Sequence, residues 1–205
     1  SPLQPSVVYA AESPDALDAQ YEGRADGWTY AREGHPNAAV LAIMIADLEG
    51  VPGDGAMTGS GMAAVSAALL ALAGAGDHVI GADQLYGRSL RLMTEDLPRL
   101  GVATTLVDAT DAGAVAAALR PETRAVLVEP LSNPTLRIAD MEGIAAACAA
   151  HGAALVVDNT FATPAGFRAF AHGADVVLHS VTKLLAGHSD ATLGWVAARD
   201  ADLQA

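Results

Sequence analysis

The chain carries a single lysine, Lys183: eleven of its 205 residues are basic, and the other ten are arginine. It has one cysteine, Cys148, which rules out an internal disulfide framework and a CxxC metal motif. Cys148 falls in the Ala-rich run from Ile144 to Ala150, where a buried structural thiol is expected. Aromatic residues make up 4% against 52% hydrophobic, so any core must be built from Ala, Val and Leu. No apolar run reaches the ~20 residues of a membrane-crossing helix. Ser1 to Tyr9 lacks a basic segment followed by an apolar one, so no secretory leader is expected. A formal charge of -13 opposes binding to nucleic acid or an anionic membrane. The six histidines show no H-x-x-x-H spacing, and no metal site is expected. These deficits point to a soluble, cytoplasmic protein, long enough for one α/β domain or most of a larger one.

The lone lysine is the first positive signal. A chain that writes its positive charge as Arg and keeps one Lys suggests chemistry that Arg cannot perform. A guanidinium stays protonated, whereas a lysine amine can be neutralised by its surroundings and attack a carbonyl. Chance is the competing explanation, and the neighbourhood has to decide.

Ser1 to Asn37 is polar and irregular, with Pro2, Pro5 and Pro14, and reads as an arm with a short helix near Asp15 to Tyr21. Ala38 to Glu49 is helical in period. The pattern then alternates. Strands are expected at Ala56–Thr58, His78–Gly81, Val102–Val107, Ala125–Glu129, Ala154–Asp158, Val176–His179 and Leu193–Ala197. Helices are expected at Met62–Ala73, Ser89–Leu100, Ala112–Leu119 and Met141–His151. The strand runs are nearly all apolar, as in a sheet covered on both faces, and the alternation predicts a mostly parallel α/β sheet sandwiched by helices. Such sheets form their sites at the carboxyl ends of strands.

Four strand ends carry candidates. After Ala56-Met57-Thr58 comes Gly59-Ser60-Gly61-Met62-Ala63-Ala64, where glycines and a helix N-terminus suit an anion such as a phosphate. The same run fits G-x-G-x-x-A, with Asp83 about twenty residues on, so a nicotinamide dinucleotide competes, as does a plain helix start. Asp158 ends an apolar strand and suits a protonated heterocyclic nitrogen; a cap or turn aspartate is the alternative. Ser180-Val181-Thr182-Lys183 follows another strand, with two hydroxyls for a phosphate beside a lysine for an aldehyde carbon. Turn bonding explains each hydroxyl singly but not the set. Tyr86, in Gln84-Leu85-Tyr86-Gly87, could stack on a flat ring or be a half-buried loop aromatic. Glu129 to Thr135 begins at a further strand end, and its Asn133 could donate to a ring oxygen.

The ordered pieces Tyr30-Ala31-Arg32, Ser60-Gly61-Met62-Ala63-Ala64, Tyr86-Gly87, Ser132-Asn133-Pro134, Val157-Asp158-Asn159-Thr160-Phe161 and Ser180-Val181-Thr182-Lys183 with Gly187-His188-Ser189-Asp190 resemble the Cys/Met-metabolism family of pyridoxal 5'-phosphate (PLP) enzymes. That family includes cystathionine γ-synthase, cystathionine γ-lyase and methionine γ-lyase. The resemblance spans nearly the whole chain. It implies the fold-type I, aspartate aminotransferase-like large domain over 38–205, behind an arm over 1–37. Lys183 would hold PLP as a Schiff base and move the substrate α-proton. Asp158 would pair with the pyridine nitrogen, Tyr86 would stack on the ring, and Asn133 would lie near the ring hydroxyl. Ser60, Gly61, Met62, Ser180 and Thr182 would bind the phosphate. Tyr30 and Arg32 would reach the phosphate of a neighbouring subunit, implying a homo-oligomer, dimer or tetramer, with shared sites.

The sequence departs from the family pattern where His35-Pro36-Asn37 stands for Asn-Pro-Thr and where Arg88-Ser89 follows Tyr86-Gly87, both expected near the substrate entrance. The chain is about half the family length, and the C-terminal small domain that supplies the arginine for the substrate carboxylate is absent from it. A fragment, a split subunit or a segment of a larger protein would each account for that. The expected function is a PLP-dependent carbon–sulfur lyase of the transsulfuration type, acting by β- or γ-elimination on a Cys- or Met-like amino acid. A γ-replacement synthase of the same family is the alternative. From other classes come a nicotinamide-dependent oxidoreductase and a non-catalytic PLP-binding remnant.

Overall fold

A computed structural model describes residues 2–51 and 53–200. Ser1, Pro52 and 201–205, which belong to the expected arm and domain, lie outside the described residues. The strands are β1 (Ala56–Thr58), β2 (His78–Ala82), β3 (Ala103–Val107), β4 (Thr123–Val128), β5 (Ala154–Asp158), β6 (Val176–His179) and β7 (Gly194–Ala198). They form one seven-stranded sheet in the order β1-β7-β6-β5-β4-β2-β3. The five strands from β6 to β3 run parallel, while β7 is antiparallel to both β6 and β1. Antiparallel β7 and the parallel strands share the same apolar run, because both are covered on two faces; hydropathy alone does not distinguish them.

The helices are α1 (Pro14–Tyr21), α2 (Pro36–Glu49), α3 (Gly61–Leu72), α4 (Gly87–Arg91), α5 (Leu97–Arg99), α6 (Ala112–Ala118), α7 (Met141–His151) and α8 (Thr163–Gly166). Their ends follow local chemistry. Ser13, Ser60, Asp111 and Asp140 cap N-termini with side-chain oxygens. Gly50 and Gly152 close α2 and α7 in the left-handed region, at φ 70° and 85°. The helix expected over Ser89–Leu100 is one rod with a widened π turn, Leu92–Asp96, between α4 and α5. The wide turn lies just before Pro98, whose ring cannot stand against the carbonyl four residues back in a regular helix. A 3₁₀ turn, Ala169–His172, and α8 join β5 to β6 without any apolar periodicity to announce them.

Every residue of β2 and β6 is buried, so both faces of the sheet are covered. α3 packs across β7 and β6, while α6 and α7 pack together and onto β3 and β5. The core is Ala, Val, Leu and Ile, as the scarcity of aromatics requires, with Trp195 its largest fully buried side chain. Cys148 is buried, and burial followed by the nearby Asp175 charge pushes its thiol up to about 12, so it is an inert core residue. Among the described residues no helix is long and apolar enough to cross a membrane.

Candidate active site

The parallel strands all present their carboxyl ends on one edge, and the charged or polar residues found there are Asp83, Asp108, Glu129, Asp158 and Ser180. Two of these are neutralised away from the centre. Arg137 ion-pairs with Asp108 and lies 3.6 Å from Asp83. The Asp83 that a dinucleotide ribose would need is therefore engaged by a cation of its own chain.

The centre is built on β5 and β6. Asp158 is opposite Leu178 in the parallel ladder, so the chain beyond β6 passes directly beside it. Thr160 joins the two strand ends. Its hydroxyl donates to Asp158 Oδ1 at 2.5 Å, its N–H donates to the same oxygen at 3.1 Å, and its oxygen accepts the Ser180 N–H at 2.7 Å. Burial raises the Asp158 carboxyl above its ordinary value; the two Thr160 bonds and the His179 charge pull the other way. An acid held this way is ready for a cationic partner, which would restore the charge that burial disfavours.

Helix α3 starts against the same point. A Cβ on Gly61 would lie 2.5 Å from Ser180 Cβ and 2.9 Å from its Cα, so only glycine lets the helix start approach the β6 end. Ser60 turns its hydroxyl inward to cap the Ala63 N–H, and the first-turn N–H groups of Gly61 and Met62 have no carbonyl four residues back within the helix. Donors converging with Ser180 at a helix N-terminus form a cradle for a small anion. Met62 is braced from α4 by the Ser89 hydroxyl, 3.8 Å from its sulfur.

Lys183 is exposed on the turn after Ser180, a turn closed by Lys183 N–H to Ser180 O at 3.0 Å and Gly187 N–H to Lys183 O at 2.8 Å. The Thr182 hydroxyl donates to Leu193 O at 3.1 Å and accepts the Leu193 N–H at 2.9 Å. Its one proton is thus directed at the entry to β7, and it would reach a phosphate only by rotating. Tyr86, 52% exposed, stands at the start of α4, and its N–H donates to Glu129 Oε1 at 2.6 Å. Asn133 lies exposed in the loop after β4, with its backbone also close to the Glu129 carboxylate.

Tyr30 and Arg32 are not brought to this centre by their own chain. The Arg32 guanidinium lies 4.9 Å from the Tyr30 ring centroid and pairs with Glu33, while the Tyr30 segment bridges Val8. His35 and Asn37, the departures from the family pattern, have local tasks. His35 caps α2, and Asn37 clamps the Pro2 and Gln4 backbone at 3.0 and 2.8 Å.

Sequence reasoning gave no role to Glu129, Thr160, Glu49 or His179. Glu129 was open to the logic that found Asp158, an acid ending an apolar strand. It is only 8% exposed, and burial, then the Asp158 charge, push its carboxyl up to about 7 against the Tyr86 and Asn133 bonds.

The profile of the Cys/Met metabolism PLP-dependent enzymes matches residues 1–205. The chain belongs to that family. It is similar to cystathionine beta-lyase of Lactococcus lactis subsp. cremoris, with 43% identity over 88% of this chain and 47% of the relative. It is similar to cystathionine gamma-synthase of Mycobacterium bovis, with 42% identity over 88% of this chain and 46% of that protein. A Campylobacter jejuni crystal structure containing a pyridoxyl-lysine monophosphate superimposes at a TM-score of 0.92, with 33% identity, over 99% of this chain and 51% of that one. The chain therefore spans about half the length of the curated relatives it matches. Membership bears out the expected family and its fold, and leaves the nicotinamide reading of Gly59, Gly61, Ala64 and Asp83 without support.

Proposed function

We propose that this chain is the cofactor-binding half of a PLP enzyme that cleaves a carbon–sulfur bond in a Cys- or Met-like amino acid by β- or γ-elimination. The observation that carries the reading is the joint of Asp158, Thr160 and Ser180, closed against the Gly61 start of α3, with Lys183 on the next turn. Those groups fit PLP in three parts: an acid for the ring nitrogen, an anion cradle for the phosphate and an amine for the aldehyde.

Bound PLP supplies a ring that withdraws electrons from the substrate α-carbon. The Asp158 carboxylate accepts the pyridinium N–H and keeps that proton in place. Gly61 and Met62 N–H groups with the Ser60 and Ser180 hydroxyls hold the phosphate; Thr182 fixes the turn beside it. Tyr86 would stack on the ring and Asn133 would donate to its hydroxyl, both loops being tied to Glu129. The Lys183 amine would hold the cofactor's aldehyde and serve as the base for the substrate α-proton at Nζ. Tyr30 and Arg32 complete the phosphate site of a second copy in a homo-oligomer, a role supported by their bonding to Glu33 and the nearby backbone rather than to Ser60, Ser180 or Lys183 of their own chain. We place the enzyme in the cytoplasm, in line with its single buried thiol.

The synthase alternative stays close, since a lyase and a synthase match at 43% and 42% identity. Borohydride reduction of the PLP-loaded full-length protein, followed by peptide mapping, should place a pyridoxyl group on Lys183; an unmodified Lys183 refutes the proposal. Release of sulfide or an oxoacid from cysteine, cystine, cystathionine or methionine identifies the lyase. Turnover only with an added thiol or amino-acid acceptor identifies the synthase. PLP on Lys183 with neither identifies a non-catalytic remnant.

A further inference from the structure

Behind Asp158 lies a buried polar cluster with no part in the chemistry above. Glu49, the last residue of α2, is 1% exposed, and Asn159 and His179 are fully buried. Glu49 Oε1 accepts Asn159 Nδ2–H at 2.7 Å and lies 2.5 Å from His179 Nε2. Asn159 Nδ2 also donates to Phe167 O at 2.7 Å, and the His179 ring leans on Trp195 with centroids 5.9 Å apart. Glu49 Oε2, Asn159 Oδ1 and His179 Nδ1 have no hydrogen-bond partner among the described residues. A carboxylate, an amide and an imidazole in an Ala/Val/Leu core are a costly choice, because burial penalises each and an apolar filling would not. The cluster touches the site from two sides. Asn159 follows Asp158 in the chain and donates its backbone N–H to Leu178 O at 3.0 Å; His179 is one step past Leu178, the ladder partner of Asp158.

We infer that Glu49 is a positioning residue for Asp158: by accepting from the Asn159 amide and pairing with His179, it fixes the residues that follow Asp158 and its ladder partner Leu178, and so sets where the Asp158 carboxylate stands beneath the cofactor ring. The inference rests on the PLP reading and deepens it. His179 from β6 and Glu129, one residue past β4, are the titratable groups that act on Asp158 or feel its charge, and Glu49 from α2 reaches it through His179 and Asn159. Without the Glu49 acceptor, Asn159 and His179 lose the contact that ties the two strand ends together, and the Asp158 carboxylate loses its fixed position.

The test uses full-length protein and PLP itself, titrated by visible absorbance, with thermal melts alongside. Glu49→Ala should bind PLP about tenfold more weakly than wild type. Glu49→Gln, which keeps an acceptor for the Asn159 amide, should recover most of that affinity. If Glu49→Ala does not fold, Asn159→Ala should show the same loss. A lower melting temperature with unchanged PLP affinity gives Glu49 a merely structural role and overturns the inference. A wild-type protein that takes up no PLP overturns the PLP reading instead, and the inference with it.

Discussion

Glu129 makes the site sensitive to protons at the level of one side chain. Its carboxyl stands at about 7 in the folded protein against an ordinary 4.5. Between those values the folded chain binds a proton that the unfolded chain has released, so stability is full below pH 4.5 and is lost as pH rises to 7. The shift corresponds to about 3 kcal/mol at most. Asp158, raised in the same direction, adds to the slope. Glu129→Gln keeps an acceptor for the Tyr86 N–H and removes the titration. Its urea midpoint should therefore fall less than wild type's between pH 5 and pH 8, and parallel slopes would contradict this account. Asp158, Ser180 and Lys183 were legible in the sequence because each follows an apolar strand in a contiguous motif. Glu49 was not: it meets His179 from 130 residues away, and no local pattern carries that pairing.

Among the elements, the junction of α3 with the β6 end is the tightest part of the site. Gly61→Ala would gain helix propensity, at most about 1 kcal/mol at an interior position and less at a helix start. It would also drive a methyl to 2.5 Å from Ser180 Cβ and 2.9 Å from its Cα, and a backbone atom cannot swing aside. Overpacking of that kind costs about 1–3 kcal/mol, so the clash wins. Gly61→Ala should melt earlier than wild type and bind PLP at least about tenfold more weakly, since Ser180 must retreat from the anion cradle. Gly59→Ala is the control, because nothing lies within 4 Å of its added Cβ. A Gly61→Ala protein with wild-type melting and PLP affinity would show that α3 does not close the site. The strands were readable here to within about two residues, from apolar runs bounded by glycine and acids. The π turn before Pro98 and the 3₁₀ turn were not, because backbone sterics and tertiary packing set them while hydropathy is silent.

The arm expected over 1–37 raises the question of the whole molecule. Among its described residues, Tyr9 and Ala31 pair with Thr29 and Val7 at 3.1 and 2.8 Å, and Arg32 covers Tyr30. Neither Tyr30 nor Arg32 bonds to Ser60, Asp158, Ser180 or Lys183 of the same chain. Helix α2 buries Ala42, Ile45, Ala46 and Glu49 while leaving Val40, Ile43, Met44 and Leu48 exposed along its other side. An apolar stripe of that kind suits a surface shared with a second copy. If the arm completes the partner's phosphate site, the defects of Lys183→Ala and Arg32→Ala belong to different sites of one dimer. In a mixed dimer the Arg32→Ala subunit keeps its own lysine and receives an intact arm from the Lys183→Ala subunit. Random exchange at equal amounts makes about half the dimers mixed, each with one sound site, so about a quarter of wild-type activity should return. The measurement is lyase or synthase turnover of the two full-length variants, assayed apart and after mixing under conditions that exchange subunits. Activity equal to the mean of the separate proteins would show that each arm serves its own chain, and Tyr30 and Arg32 would then need another role.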